Sequence, residues 1–402
     1  MHPILRYTAV AAWLATMQFH AAAATAVQPV RDDEVLEVLP LVTRNRPAMA
    51  AALPIAKAVT ATTLSPGAAA QQAREDISVA RQTGDTRYWG RAQAVLAPWW
   101  DRADAPVDLA VLQATVQQGR HEFDASRQVL TAALARAPGH AQGWLNLASL
   151  ERLSADYAKA LSACDAVARA GQPLYAQACT LETQSLQGRN APATQQGLQA
   201  LITSAATDAG QRSWLLSLLA ESQERAGQDR AAAQSYAGSL AAQADLYTAI
   251  AYSDLQLRTG KPAQALQVLA ASPETDAVVL RRAAAWRALG DARWKVGRDQ
   301  LQTRVDELKR RGDDPALHGR ELALAALWLD DQPAAALVLA RRNLLLQREP
   351  IDWWVAVRSA QAAKDPAALA ELAAALRATG LQDARLAALM PGTTNAASRG
   401  AK

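Results

Sequence analysis

The sequence predicts an all-α protein built as an array of stacked helical hairpins. Three observations support this prediction. The 402 residues are rich in alanine, leucine, glutamine and arginine, a composition that favours helix. Apolar residues recur at helical spacing in two consecutive runs within residues 141–172. The small residues of the second run recur along the chain about every 34 residues, which indicates a repeat.

The two runs define the best-formed hairpin of the chain. The first places Trp144, Leu147 and Ala148 on one helix face, and the second starts at Tyr157 and continues to Ala160. Ala148 and Ala160 are small enough to let the two helices cross closely. We expect the three larger side chains to fill the space around this crossing.

One small residue in the second helix of each hairpin marks the repeat. The last interval between markers is about twice the others, and we assign to it a degenerate hairpin at residues 275–311 whose first helix ends at Gly290. A last unit begins at Ile351, where Leu369 replaces the small residue. The markers are Ser126, Ala160, Thr194, Ala232, Ala265 and Ala336.

Turn residues recur where the two helices of a hairpin must join. In three joints a proline follows, at Pro262, Pro333 and Pro366, where the first turn of the second helix loses no hydrogen bond. The predicted turn residues are Gly119, Gly227, Gly260, Asp331 and Lys364-Asp365.

The pattern W-x2-L-A at Trp144–Ala148, followed by Y-x2-A at Tyr157–Ala160, resembles the tetratricopeptide repeat (TPR). The resemblance implies a right-handed α-solenoid of about seven to eight repeats, some degenerate, over residues 71–380. It also implies a concave face that binds a protein or peptide partner. By the family pattern, the partner-binding residues are Arg152, Trp214, Tyr247, Arg258, Trp354 and Arg358.

Some TPR domains clamp a terminal carboxylate with a lysine and an asparagine at two positions of the first helix. In the best-matched unit these positions hold Leu145 and Ser149. The resemblance therefore does not imply binding of that kind.

The first 26 residues are typical of a secretory signal peptide. Arg6 supplies a positive start, Ala9–Met17 form an apolar centre, and small residues follow up to a cleavage site after Ala24 or Ala26. The apolar centre is shorter than the roughly 20 residues that span a bilayer. We expect an exported chain, periplasmic or envelope-associated, with no transmembrane segment after cleavage.

The segments that flank the repeats have less regular patterns. Residues 27–70 contain several prolines and indicate a linker or capping arm, and docking of a partner on this arm is the alternative. Residues 71–103 are interpreted as a first, degenerate hairpin whose aromatic residues either plug the end of the core or form a platform for a glycan or peptide. Residues 381–402 are assigned to a C-terminal tail. The aromatic residues are Tyr88, Trp89, Trp99 and Trp100.

The chain has two cysteines, Cys164 and Cys179. In the repeat frame they lie on neighbouring helices, and an oxidising compartment would allow them to form a disulfide. Two free buried thiols are the alternative.

The sequence contains no pattern that indicates catalysis. It has no phosphate-binding loop and no nucleophile motif. Acidic and basic residues are interspersed, so no basic surface for nucleic acid stands out. His121, His140 and His318 lack the spacing and the cysteine partners of a metal site. We predict a non-catalytic protein without cofactor or metal.

Two functional hypotheses follow. The first is an exported scaffold that mediates protein–protein interaction in the periplasm or cell envelope. The alternative is a periplasmic binding protein for a glycan or small ligand that uses Trp89, Trp99, Trp100 or Trp354.

Overall fold

A computed structural model describes residues 64–203, 208–310 and 318–390, and all regular structure within these ranges is helical. The signal-peptide prediction and most of the arm at residues 27–70 lie outside the described residues. A short 3-10 helix, Ala97–Trp99, follows α2. The helices are α1 (Pro66–Thr83), α2 (Arg87–Leu96), α3 (Val107–Gly119), α4 (Phe123–Arg136), α5 (Ala141–Leu153), α6 (Tyr157–Arg169), α7 (Pro173–Leu186), α8 (Ala191–Ile202), α9 (Ala209–Arg225), α10 (Asp229–Ala242), α11 (Leu246–Arg258), α12 (Pro262–Val268), α13 (Asp276–Ala288), α14 (Arg293–Arg310), α15 (Gly319–Trp328), α16 (Pro333–Asn343), α17 (Pro350–Ala362), α18 (Pro366–Thr379) and α19 (Ala384–Leu389).

Consecutive helices pair as hairpins, from α1 with α2 to α17 with α18, and α19 follows the last pair. The array of TPR-type hairpins predicted from the sequence is thereby confirmed. The described residues hold nine hairpins rather than seven to eight. The nine are the six marked hairpins, the degenerate hairpins at the N-terminus and at α13–α14, and the last unit.

The small residues that mark the repeat are buried in every unit where they were identified. A small side chain at this position lets the facing helix approach, and the hydroxyl of Ser126 donates a hydrogen bond of 2.8 Å to the carbonyl of Ala114 on α3. In the last unit Ala368, rather than Leu369, takes the buried position. The markers Ser126, Ala160, Ala232, Ala265 and Ala336 are 0% exposed, and Thr194 is 2% exposed.

The best-matched hairpin, α5–α6, buries both small residues of the predicted crossing but differs from the prediction in one detail. Ala148 and Ala160 are both fully buried, and Trp144 packs beside Ala148. Tyr157 does not fill the same space, because it belongs to a cluster that includes Trp353 of α17. A distant hairpin therefore supplies the surroundings of this tyrosine.

The joints within hairpins use residues in the left-handed conformation. Gly227 and Gly260 have φ of 76° and 72°, and Asp331 and Lys364 have φ of 53° and 55°, as expected for turn residues. Three prolines open the helices that follow such joints, as predicted. They are Pro262 in α12, Pro333 in α16 and Pro366 in α18.

Gly119 has a different role from the predicted one. It is the last residue of α3, and the positive φ at this joint belongs to His121, at 62°. The indole of Trp89 packs directly on Gly119, where an added Cβ would lie 2.5 Å from ring atoms. The glycine is therefore required by packing between hairpins.

The first hairpin begins earlier than the sequence pattern predicts. The hydroxyl of Ser65 accepts a hydrogen bond from the N–H of Ala68, and Pro66 opens α1 inside the segment assigned to the arm. Trp89, Trp99 and Trp100 pack against a buried cluster that joins α1, α2 and α3. This placement supports the interpretation of these aromatics as a plug for the end of the core.

Contacts also connect hairpins that are far apart in the sequence. The N–H of Arg348 donates to the carbonyl of Leu153, and the N–H of Gln382 donates to the carbonyl of Leu186, both at 2.8 Å. Leu386 of α19 is buried in the core. Residues 381–390, assigned from the sequence to a tail, are therefore a packed part of the array.

A disulfide joins Cys164 of α6 to Cys179 of α7, with the two Cα atoms 5.6 Å apart. Both cysteines are buried. The bond links two consecutive hairpins, so the structure shows the paired cysteines and not the free thiols.

We predict that Gly→Ala has opposite effects at two open positions. Gly260→Ala should lower the free energy of unfolding by about 1 kcal/mol, because φ there is 72° while no atom would clash with the new Cβ. Gly90→Ala, inside α2 with equally open surroundings, should raise it by up to about 1 kcal/mol. Urea unfolding measures both, and destabilisation by Gly90→Ala would contradict the prediction.

We also predict that the disulfide contributes about 3 kcal/mol to the free energy of unfolding, as chain-entropy arguments give for a loop of this length. Urea unfolding of the oxidised and reduced protein measures the contribution. The Cys164→Ala/Cys179→Ala double variant is the control, because reductant should not change its midpoint. Equal midpoints of oxidised and reduced wild type would show that the bond adds no stability.

Candidate functional site

The first helices of seven hairpins line a cavity of about 260 Å³, here called the central cavity. These helices are α5, α7, α9, α11, α13, α15 and α17, and Tyr157 of α6, Tyr236 of α10 and Arg385 of α19 complete the lining. This is the concave face that the resemblance implied. Its charged and tyrosine lining residues are Arg152, Tyr157, Glu182, Glu221, Glu224, Arg225, Tyr236, Tyr247, Asp254, Arg281, Arg320, Glu321, Glu349 and Arg385.

Glu224 of α9 is the hub of an ion-pair network on this face. Its carboxylate accepts hydrogen bonds from Arg385 at 2.8 Å, Arg258 at 3.2 Å and the hydroxyl of Tyr236 at 3.0 Å. Arg385 is 161 residues away from Glu224. Because Glu224 is buried, these donors replace the water that its charge would otherwise need.

Two further arginines hold carboxylates in bidentate pairs, one partly buried and one fully buried. Arg281 binds Asp254 with two contacts of 2.8 Å, and Arg320 binds Asp352 at 2.7 and 2.9 Å. Burial raises the pKa of Asp254 even though Arg281 opposes the shift. Burial likewise raises the pKa of Asp352 to about 6, against the charge of Arg320. The arginines are therefore needed to keep the carboxylates charged in this setting.

Tyr247 and Glu221 form a polar pair on the wall of the central cavity. The tyrosine hydroxyl donates to Glu221 at 2.7 Å, and 57% of Tyr247 is exposed, with its ring towards the cavity. Burial raises the pKa of Glu221, and the negative charge of Glu221 raises the pKa of Tyr247 well above its usual value. The pair presents a large amphipathic surface to whatever fills the cavity.

A second cavity, of about 800 Å³, adjoins the central one and shares Glu224, Asp254, Ile351 and Arg385 with it. Its walls come from α9, α11, α13, α15, α17 and α19. Trp328 and Trp354 meet there edge to face, with ring centroids 6.2 Å apart. We call it the tryptophan cavity.

The structure places five of the six predicted partner-binding residues on these two cavities. Arg152, paired with Glu182 at 3.0 Å, and Tyr247 line the central cavity. The tryptophan cavity takes the three others: Arg258, Trp354 and Arg358.

Trp214, the sixth predicted residue, lies outside both cavities. It packs against Tyr175, with ring centroids 5.6 Å apart, and joins the core between α7 and α9. It therefore acts as a packing residue between neighbouring repeats.

The sequence analysis did not predict several residues of the site. Arg281 and Arg320 pair with carboxylates 27 and 32 residues away, so complementary charges spaced by about one repeat are a signal that could have found them. No such signal exists for Arg385, because its partner Glu224 lies 161 residues away in the sequence.

The three histidines have ring or carboxylate neighbours. The rings of His121 and His318 lie 6.0 Å apart, and His140 contacts Asp108 at 2.9 Å. Within residues 64–203, 208–310 and 318–390, no group of three or more His, Cys, Asp or Glu side chains could hold a metal ion. Over the same ranges no helix combines the length and apolarity needed to cross a bilayer.

Comparisons with known proteins found distant structural likenesses. No protein-family model matches the sequence, and no curated protein matches it. A TPR protein from Parabacteroides merdae ATCC 43184 matches 58% of this chain and 93% of its own, with 16% identity and a TM-score of 0.37. A Rap protein, solved in complex with Competence and Sporulation Factor, matches 78% and 87%, with 10% identity and a TM-score of 0.48.

A third solved structure, Naa15/Naa10 bound to HypK-THB, matches 80% of this chain and 50% of the other, with 15% identity and a TM-score of 0.29. These likenesses are distant. The assignment of TPR-type hairpins therefore rests on the helices of this chain themselves.

We predict that Glu224→Gln lowers the free energy of unfolding by about 2 kcal/mol, because it leaves Arg258 and Arg385 without a shared counter-charge in a poorly solvated place. Each arginine keeps one aspartate, which limits the loss. Glu371→Gln is the matched control, since its pair with Arg341 is exposed and should contribute less than about 1 kcal/mol. Equal urea midpoints for the two variants would contradict the proposed hub.

Proposed function

We propose that this protein is an exported, non-catalytic scaffold that binds a segment of a partner protein along its concave face. One observation carries the proposal. The first helices of successive hairpins line two adjoining cavities with aromatic and arginine side chains, the residue types that dominate binding hot spots. A groove built from successive repeats suits an extended partner, because each repeat adds its own contacts.

The state of the carboxylates on this face favours binding over catalysis. Acid–base catalysis requires a group that is free to exchange a proton with a bound substrate. Glu224 and Asp254 are instead occupied by arginines, and Glu221 accepts from a tyrosine hydroxyl. These groups shape and polarise the surface rather than present an acid–base pair.

Two features support export. The N-terminal sequence has the positive start, apolar centre and small residues of a signal peptide. The disulfide between Cys164 and Cys179 is of a kind that persists in oxidising compartments such as the periplasm. The proposal places the protein in the periplasm or at the envelope.

The glycan-binding alternative has less support from the structure. Three of the four tryptophans on which it depends, Trp89, Trp99 and Trp100, pack against the first hairpin's buried cluster. Trp354 alone lines a cavity. The placement of these side chains therefore favours the scaffold.

We predict that a photo-crosslinking amino acid at Tyr247 gives a discrete protein adduct in living cells. A benzophenone side chain shares the para-substituted phenyl ring of tyrosine and would lie on the wall of the central cavity. The adduct should be recovered from the periplasmic fraction and identified by mass spectrometry. Thermal unfolding of the variant checks that the fold is kept.

The matched control carries the same crosslinker at Val338 of α16, which is 68% exposed and lines neither cavity. Adducts at Val338 with none at Tyr247 would contradict binding along the concave face and would indicate that the partner contacts the outer surface. An adduct confined to the cytoplasmic fraction would contradict export.

A further inference from the structure

The tryptophan cavity has an apolar wall. Leu257, Ile351 and Leu389 line it beside the rings of Trp328 and Trp354. Both tryptophans are half-buried, so part of each side chain remains accessible. The wall therefore offers contact area for a large apolar side chain.

Four guanidinium groups line the same cavity, and three of them are neutralised from within. Arg258 binds Asp229 and Glu224, and Arg385 binds Glu224 and Asp383. Arg287 pairs with the carboxylate of Asp331. The acidic residues on this wall are thereby all occupied, since Asp254 is held by Arg281.

Arg358 is the exception among these arginines. Among the described residues it contacts the amide oxygen of Gln361 at 3.2 Å and lies over the ring of Trp354, 6.0 Å from the centroid, with no carboxylate partner. Its side chain is exposed. The cavity thus offers one positive charge without a counter-charge, placed beside an aromatic surface.

We propose that the tryptophan cavity binds a segment of a partner protein in which aspartate or glutamate lies next to a large apolar residue. The acidic side chain pairs with Arg358, and the apolar side chain packs against Trp328, Trp354 and Leu257. A guanidinium group binds a carboxylate in a planar, bidentate arrangement while its face rests on an indole. This inference rests on the proposed function and names the partner chemistry at one part of the same face.

The charged side chains of residues 391–402 argue against this segment as the occupant. The chain leaves α19 at Leu389, on the wall of this cavity. Residues 391–402, PGTTNAASRGAK, contain Arg399 and Lys402 and no acidic side chain. A basic segment does not complement an unpaired guanidinium group, so we assign the site to a separate, acidic partner.

Calorimetric titration of the full mature chain with short synthetic peptides tests this inference. The probe is acetyl-Gly-Glu-Leu-Glu-Leu-Gly-amide, and a second peptide replaces both Glu by Gln. A third peptide replaces both Leu of the probe by Gly. A fourth is the Gln peptide with a free C-terminal carboxylate. The peptides carry no fluorescent label. A label such as fluorescein combines aromatic rings with a carboxylate and could itself bind to the proposed site.

We expect the probe to bind about tenfold more tightly than the Gln peptide and the Gly peptide, as loss of one charge-assisted contact or of the apolar contact would give. Binding of the probe should weaken as salt is raised. Arg358→Gln should reduce its affinity about tenfold. Arg377→Gln on α18, an exposed arginine outside both cavities, is the matched control and should leave the affinity unchanged.

Several results would overturn the inference. Equal affinities for the Glu and Gln peptides, or no binding of the probe, would contradict the proposal of an acidic partner, whether or not the Arg358→Gln variant folds. An equal loss of probe affinity in Arg358→Gln and Arg377→Gln would contradict the assignment of the site to the tryptophan cavity. Binding of the fourth peptide as tight as that of the probe would assign recognition to a chain end. If the Tyr247 adduct forms but the peptides are not distinguished, the scaffold stands and this partner chemistry fails.

Discussion

The array depends on a close crossing of two helices in each hairpin, made possible by one small side chain. Ser126, Ala160 and Ala336 are fully buried at this position, and Ala148 on the first helix of its hairpin is fully buried as well. Bulkier residues there would force the helices apart, because protein interiors are close-packed. The spacing of these residues keeps the hairpins in register, and the register decides which side chains share the concave face.

The sequence allowed prediction of those features that depend on neighbours along the chain. Turns such as Gly260 and Asp331, the buried markers and the pair Cys164–Cys179 all follow from contacts within a repeat or between consecutive repeats. Tyr157 and Arg385 could not be placed in the same way. Their partners come from hairpins far along the chain. Small rotations between successive helices accumulate over that distance, so the repeat spacing alone does not determine which distant residues meet.

Buried arginine–carboxylate pairs are the second feature of the concave face. Each charge costs free energy to desolvate, and a good partner offsets much of that cost. The result is a lining that is strongly polar yet nearly neutral. Arg358 differs from Arg258 and Arg281 in this respect, because no carboxylate of the described residues offsets its charge. The concave face therefore attracts negatively charged groups at this one point, while its other charges are largely neutralised by their partners.

The contacts between Arg348 and Leu153 and between Gln382 and Leu186 change how this array should respond to stress. In an open solenoid each repeat touches only its neighbours, so terminal repeats can unravel while the middle persists. Here the C-terminal segments contact the middle of the array. Fraying at the C-terminus therefore also removes contacts made by α5, α7 and α9. Mechanical pulling on the C-terminus should consequently meet resistance from most of the molecule at once.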